Sequence, residues 1–172
     1  MTWILIITGV VLLLGFSVFF GAPYVPSRRR DFTRMFDELY PLSPADVVID
    51  VGSGDGIILR EVSRRGARAI GYEISPLLTA ISKWLSRNDK KVTVLMANFW
   101  LAKFPQDTTL IYAFSVERDV RKLSTKIQTE ANRLNKMLTL VCYGSPLKDV
   151  VVLREFEAYH LYQFYPLQAR EA

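Results

Sequence analysis

The chain has 172 residues, half of them hydrophobic and 12% aromatic, which excludes general disorder and leaves room for one domain with a sizeable core. A single cysteine, Cys142, and a single histidine, His160, exclude a disulfide framework and a Cys/His zinc site. The net charge of +5 suits an anionic partner or a membrane surface but falls short of an argument for nucleic acid.

No charged side chain precedes Arg28, and the run Trp3 to Phe20 is interrupted only by Thr8, Gly9, Gly15 and Ser17. As a helix, residues 1–22 reach roughly 30 Å, the thickness of a bilayer's hydrocarbon core, so a transmembrane anchor is expected there. Trp3 and Tyr24 stand where interfacial aromatics belong. The two other readings are a cleaved signal peptide and a buried core helix. The first wants a basic start, which Met1-Thr2 lacks; the second is rare in a domain this small. Arg28, Arg29, Arg30 and Arg34 follow the run and nothing basic precedes it. The positive-inside rule then expects a single-pass protein with its C-terminal part on the cytoplasmic side, or the matrix side in a mitochondrion. Arg28 to Arg30 would meet lipid phosphates.

Residues 23–45 form a juxtamembrane basic helix and linker, punctuated by Pro23, Pro26, Pro41 and Pro44, with Phe32, Met35, Phe36 and Leu39 at helical spacing. The domain proper is expected over 46–172. Val47-Val48-Ile49-Asp50-Val51 reads as a strand ending in a glycine loop. A helix over 57–65, a strand over 67–73 and a helix over 75–87 follow, with Ser75 as N-cap and Pro76 in the first turn. Strands are expected over 92–96, 108–114 and 137–143, and a helix over 117–134. The runs 150–156 and 159–165 close the chain as an antiparallel pair at a sheet edge. Strand–helix alternation with fully apolar strands means a doubly wound, mostly parallel α/β sheet covered on both faces.

In such a sheet a ligand binds beyond the carboxyl ends of the strands, where strand order reverses. The first strand runs into Asp50-Val51-Gly52-Ser53-Gly54-Asp55-Gly56. A dinucleotide fingerprint needs a glycine at 57, and Ile57 stands there. Asp50, two residues ahead of the first glycine, would repel a pyrophosphate and attract a cationic ligand, which favours S-adenosylmethionine. The second strand ends in Gly71-Tyr72-Glu73, a carboxylate able to accept both ribose hydroxyls in a forked pair. The third ends in Ala97-Asn98-Phe99-Trp100, where an amide can meet adenine and an aromatic can cover its ring. Cofactor-binding candidates are therefore Asp50, Gly52, Ser53, Gly54, Gly56, Glu73, Asn98 and Phe99, with no metal.

These motifs, in this order, resemble class I (seven-β-strand) methyltransferases, whose fold is Rossmann-like. The apolar leader, Pro23-Tyr24-Val25-Pro26-Ser27, the basic helix, the Asp50–Gly56 loop, Gly71-Tyr72-Glu73-Ile74-Ser75-Pro76 and Asn98-Phe99-Trp100 resemble a narrower group. That group is the membrane-anchored protein-lysine methyltransferases, whose mitochondrial members modify the ATP synthase c-subunit and the adenine nucleotide translocase. The family often has Arg where Ile57 stands and commonly Asp where Asn98 stands. The resemblance implies S-adenosylmethionine as cofactor and a lysine of an integral membrane protein as methyl acceptor. It also implies that the fourth strand's end, Tyr112-Ala113-Phe114-Ser115, lies next to the sulfonium. Tyr112 and Phe114 would then wall the lysine channel, and Ser115 would hold the amine. Ordinary strand and cap roles for these three weigh equally. Glu117 is a possible proton acceptor, an exposed helix-start acid being the plainer reading. Cys142 and His160 read as strand residues. Alternatives are methylation of a lipid or small molecule, and a non-catalytic cofactor-binding membrane protein.

Overall fold

The computed structural model describes residues 2–4, 8 and 29–167. The anchor expected over 1–22 lies outside the described residues apart from Thr2 to Ile4 and Thr8, as do Arg28 and the side chains of Arg29 and Arg30. Among the described residues no helix is long and apolar enough to cross a membrane.

A mixed sheet of seven strands organises the domain. In chain order the elements are α1 (Arg29–Glu38), β1 (Val47–Val51), α2 (Ile57–Arg64), β2 (Arg68–Glu73), α3 (Pro76–Leu85) and β3 (Val92–Met96). They continue with β4 (Leu110–Ser115), α4 (Val120–Leu134), β5 (Leu138–Gly144), β6 (Arg154–Phe156) and β7 (Tyr159–Phe164). The order across the sheet is β3-β2-β1-β4-β5-β7-β6, with β3 to β5 parallel and β7 antiparallel to both its neighbours. The chain therefore winds outward from β1 in one direction and from β4 in the other. The gap between the two first connections is the switch point at which ligands bind in this architecture.

Alternation along the strands divides the core in two. Val47, Ile49 and Val51 face the layer formed by α4, whose Leu123, Ile127, Ala131 and Leu134 are buried at 3% exposure or less. Val48 and Tyr112 face the layer of α1 and α2. There Phe32, Met35, Phe36 and Leu39, spaced as the sequence predicts, are fully or almost fully buried, each contributing on the order of 2 kcal/mol. The start and the end of the domain are clasped together. The Arg34 guanidinium donates to Glu157 at 2.7 Å, and Arg154 donates to the carbonyls of Glu38 and Leu39.

Four expectations change. Strand β3 is not covered on both faces: only Val94 is buried, because β3 is an edge strand and no helix intervenes between it and β4. Helix α4 begins at Val120 rather than 117, since a turn from Val116 to Asp119 comes first and Glu117 reaches out to Lys148. The run 150–156 contributes strand only from Arg154, and the edge pair is β6 against β7, with β7 also joined to β5. Helix α3 ends at Leu85, two residues before 87, with Ser75 capping it by accepting the Leu78 N–H.

Candidate functional site

The glycine loop is held against β2 by its own backbone. The N–H groups of Gly52 and Ser53 both donate to the Tyr72 carbonyl, at 2.9 and 3.1 Å. The Gly54 N–H donates to Glu73 Oε2 and the Ser75 N–H to Glu73 Oε1, each at 2.8 Å. One buried carboxylate thus ties the loop to the start of α3. Each oxygen keeps a second lone pair, so Glu73 can still accept from hydroxyl groups of a ligand.

Two glycines make this approach possible. A Cβ on Gly71 would stand 2.5 Å from Ser53 Oγ and 2.6 Å from a Leu59 methyl, so the bare backbone of β2 is what lets the loop lie down. Gly56 leads into α2 with φ +78°, and a Cβ there would meet Ser82 Oγ at 2.2 Å. By contrast Gly52, also at φ +78°, has nothing within 4 Å of where a Cβ would project. That open side of the loop is the space available to a ligand.

Asp50 is the penultimate residue of β1, at 3% exposure and in register with Gly71 on one side and Tyr112 on the other. Burial, then the neighbouring Glu73, then Asp55, push its carboxyl up to about 8. Asp55 is paired with Arg60 at 3.3 Å, but among the described residues neither Asp50 nor Glu73 forms an ion pair. Two buried acids beside an open glycine loop, with no cation among the described residues to balance them when both are ionised, make a site that favours a positively charged ligand. A nucleoside with a sulfonium and an ammonium supplies what is missing, so the residues present fit S-adenosylmethionine.

Ala97 N–H donates to the Glu73 carbonyl at 3.0 Å, which carries Asn98 to the rim beside β2. Asn98 is exposed and its Oδ1 accepts the Trp100 N–H at 3.1 Å. Phe99 is half-buried, its ring 4.2 Å from that of Trp100. The structure therefore brings together Asp50, Gly52, Ser53, Gly54, Gly56 and Glu73, with Asn98 and Phe99 on the adjoining turn.

The three acceptor-side candidates separate. Tyr112 is 4% exposed within the α1–α2 layer, its ring 6.5 Å from Tyr159, and has the surroundings of a core residue. Ser115 is buried with its hydroxyl directed at backbone carbonyls, Ser145 at 2.6 Å and Tyr143 at 3.3 Å, so it pins β4 to the turn after β5. Phe114 is half-exposed at the strand end. Its neighbour is Tyr143, whose ring lies 6.0 Å away and is itself 4.8 Å from Tyr159. Tyr143 is not among the residues that the sequence motifs single out. The available signal is that it stands one residue before the end of β5, the strand next to β4, two residues beyond Val141 and on the same face. Glu117 is exposed and held below the ordinary carboxylate range by its hydrogen bond to Lys148, which makes it a poor proton acceptor.

No family model matches the chain. In sequence it is 29% identical over 111 residues to the ATP synthase c-subunit lysine N-methyltransferase of Xenopus laevis, covering 63% of this chain and 48% of that protein. The enzyme of the same name from Mus musculus is 26% identical over 145 residues, covering 75% of this chain and 58% of that protein. The chain thus spans about half the length of the curated relatives it matches. Among solved structures, an RNA methyltransferase from Salinibacter ruber in complex with S-adenosyl-L-homocysteine superposes with a TM-score of 0.70. That match has 22% identity and covers 86% of this chain and 98% of the other. The chain has the class I methyltransferase fold, and in sequence it resembles the lysine N-methyltransferases that act on the ATP synthase c-subunit.

Proposed function

We propose that this protein is an S-adenosylmethionine-dependent methyltransferase, tethered to a membrane by its leader, that acts on a lysine side chain of a membrane-associated protein. The observation that carries the reading is the buried pair Asp50 and Glu73 at the switch point, without an ion-pair partner among the described residues and beside a glycine loop whose Gly52 has an open side. The named activity of the sequence relatives supports lysine as acceptor, and the charge-free run ahead of Arg28 supports the tether.

The bound cofactor would supply a methyl group already activated on a sulfonium, so the protein needs no nucleophile of its own. Its residues bind and align. Asp50 balances the cofactor's positive charge. Glu73, held by the Gly54 and Ser75 N–H groups, presents its free lone pairs to the ribose hydroxyls without having to reorganise. Asn98 and Phe99 serve the adenine. Phe114 and Tyr143 wall the approach to the methyl group, excluding water and lowering the pKa of the incoming lysine.

Calorimetry on the detergent-solubilised full chain tests the cofactor. Binding of S-adenosylmethionine and of S-adenosylhomocysteine is expected, with none of NAD. Gly54→Arg and Glu73→Ala should each abolish it, and unchanged binding in both removes the site assignment. Tritiated cofactor added with membrane extract tests the acceptor: label is expected in protein, whereas label in lipid would replace lysine by a lipid acceptor.

A further inference from the structure

Helix α3 buries its polar side and exposes its apolar one. The side chains it turns inward are Thr79 and Ser82, with Ser86 at its C-cap, at 7% exposure or less. Leu77, Ile81, Trp84 and Leu85 form its outward stripe at 37–64% exposure, spaced as one helical face. The inward arrangement has a packing reason: Ser82 lies against the bare Gly56, and only small side chains let α3 come that close. The stripe extends to Ile74 and Met96, 39% and 61% exposed, which follow Glu73 and end β3. It therefore reaches the rim of the candidate site.

The charges along the helix are of one sign. Residues 76–88 contain no carboxylate, while Lys83, Arg87, Lys90 and Lys91 are exposed beside it. A hollow at the C-terminal end of α3 is lined by Leu85, Arg87, Lys90 and Lys91. Asp89, also in that hollow, is engaged in accepting the Lys91 backbone N–H at 3.0 Å. The Arg87 guanidinium lies 5.0 Å from the centre of the Trp84 ring. An apolar helical face with tryptophan, no acid of its own and a margin in which Lys83, Arg87, Lys90 and Lys91 outnumber the single Asp89 fits the boundary between headgroups and acyl chains of an anionic bilayer. A second copy placed on the same face would oppose two basic margins, which charge complementarity disfavours.

We infer that α3 is an interfacial docking helix whose outward face lies on an anionic phospholipid surface. Leu77, Ile81, Trp84 and Leu85 enter the acyl boundary, and Lys83, Arg87 and Lys90 meet lipid phosphates. This contact is additional to the leader proposed above and does not depend on which group accepts the methyl. It also turns the rim at Ile74 and Met96 toward the bilayer.

A nitroxide placed by Ile81→Cys, and independently by Leu77→Cys, reads the contact in the full chain reconstituted into phosphatidylcholine–phosphatidylglycerol vesicles. Both positions are on the surface, and the lone native thiol, Cys142, is fully buried and so spared by the label. A label at Glu155→Cys, on β6 at the opposite edge of the sheet, is the aqueous control. The expected oxygen-to-nickel accessibility ratio at 81 and 77 is about ten-fold above that at 155, as for a membrane-interface position, and falls in vesicles of phosphatidylcholine alone. A ratio equal to the control overturns the inference. So does spin–spin broadening at 81, which would reveal a second copy. Equal shielding at 81 in detergent and in vesicles also overturns it, since the chain's own leader would then cover the face. Flotation on uncharged phosphatidylcholine vesicles reads the leader separately, so failure of the tether and failure of the α3 contact are told apart.

Discussion

Asp50 is the residue on which the proposed binding of a cationic cofactor turns. Burial foremost, then Glu73 and Asp55, raise its carboxyl to about 8, so in the ligand-free protein it holds a proton at neutral pH. The sign follows from linkage. The folded chain binds the proton more tightly than the unfolded chain does, so this residue favours folding below the ordinary carboxylate range. That contribution is lost as pH rises to about 8. A cationic ligand reverses the balance by favouring the ionised form, so its binding expels the proton. S-adenosylmethionine affinity is therefore expected to rise with pH, by up to about ten-fold per unit, and to level off above pH 8. Calorimetry in two buffers of different ionisation heat should register the released proton, and Asp50→Asn should flatten both the affinity profile and the buffer dependence. The same substitution should stabilise the ligand-free protein at pH 9, by on the order of a few kcal/mol, seen as a higher Tm. At this scale the sequence was informative about acids and glycines, because the Asp50–Gly56 spacing constrains the backbone directly. It was less informative about Tyr112 and Ser115. Which side of β4 is covered, and that the Ser115 hydroxyl is taken up by the Ser145 and Tyr143 carbonyls, depend on elements far away in the chain.

Among the elements, α4 depends on a polar fastening as much as on its apolar stripe. Glu130 is 3% exposed and accepts from Lys126 Nζ at 2.8 Å, the Phe104 N–H at 3.0 Å and the Arg133 guanidinium. Burial alone would raise its carboxyl, but these donors, Lys126 first, outweigh it and hold the group below its ordinary value. Glu130→Ala leaves the buried Phe104 N–H without its acceptor and Lys126, which keeps the Ala102 carbonyl, without its counter-ion, and should cost about 3–5 kcal/mol, measured by denaturant unfolding. Because the folded-state value is lowered, the contribution is present above the ordinary carboxylate range and is lost as pH falls through the lowered value. The Glu130→Gln variant should therefore lose much of the acid sensitivity of the wild type. The legibility of elements followed their local signals. β1, β2 and α2 lie within a residue or two of expectation because glycines punctuate them, and Ser75-Pro76 announces α3. What periodicity could not reveal is which side of α3 is covered: the stripe at Leu77, Ile81, Trp84 and Leu85 is visible in the sequence, yet the small residues decide the packing. Nor could a run of apolar residues at 92–96 disclose that it forms an open edge, since that depends on the missing crossover helix before β4.

At the level of the whole molecule, the doubly wound class was readable because strands and helices alternate from 47 to 144, save for the helix-less step from β3 to β4. The insertion of β7 between β5 and β6 was not, since both antiparallel neighbours of β7 read alike in sequence. That insertion makes the C-terminal hairpin integral to the domain: Tyr159 and Tyr162 are among its largest fully buried side chains, and β7 pairs with β5 from Tyr143 to Leu138. A chain truncated after Asp149 should therefore be cleaved by protease within Phe32–Leu39 and β5, whereas the full chain should resist, as gel electrophoresis after limited proteolysis will read. The clasp of Arg34 on Glu157 and of Arg154 on the end of α1 joins residues more than a hundred positions apart. A ribosome making this chain delivers α1 more than a hundred residues ahead of the hairpin that clasps it. In the nascent domain α1 meets α2 and the central strands first, and its grip on Glu157 and Arg154 forms only after β6 and β7 have emerged.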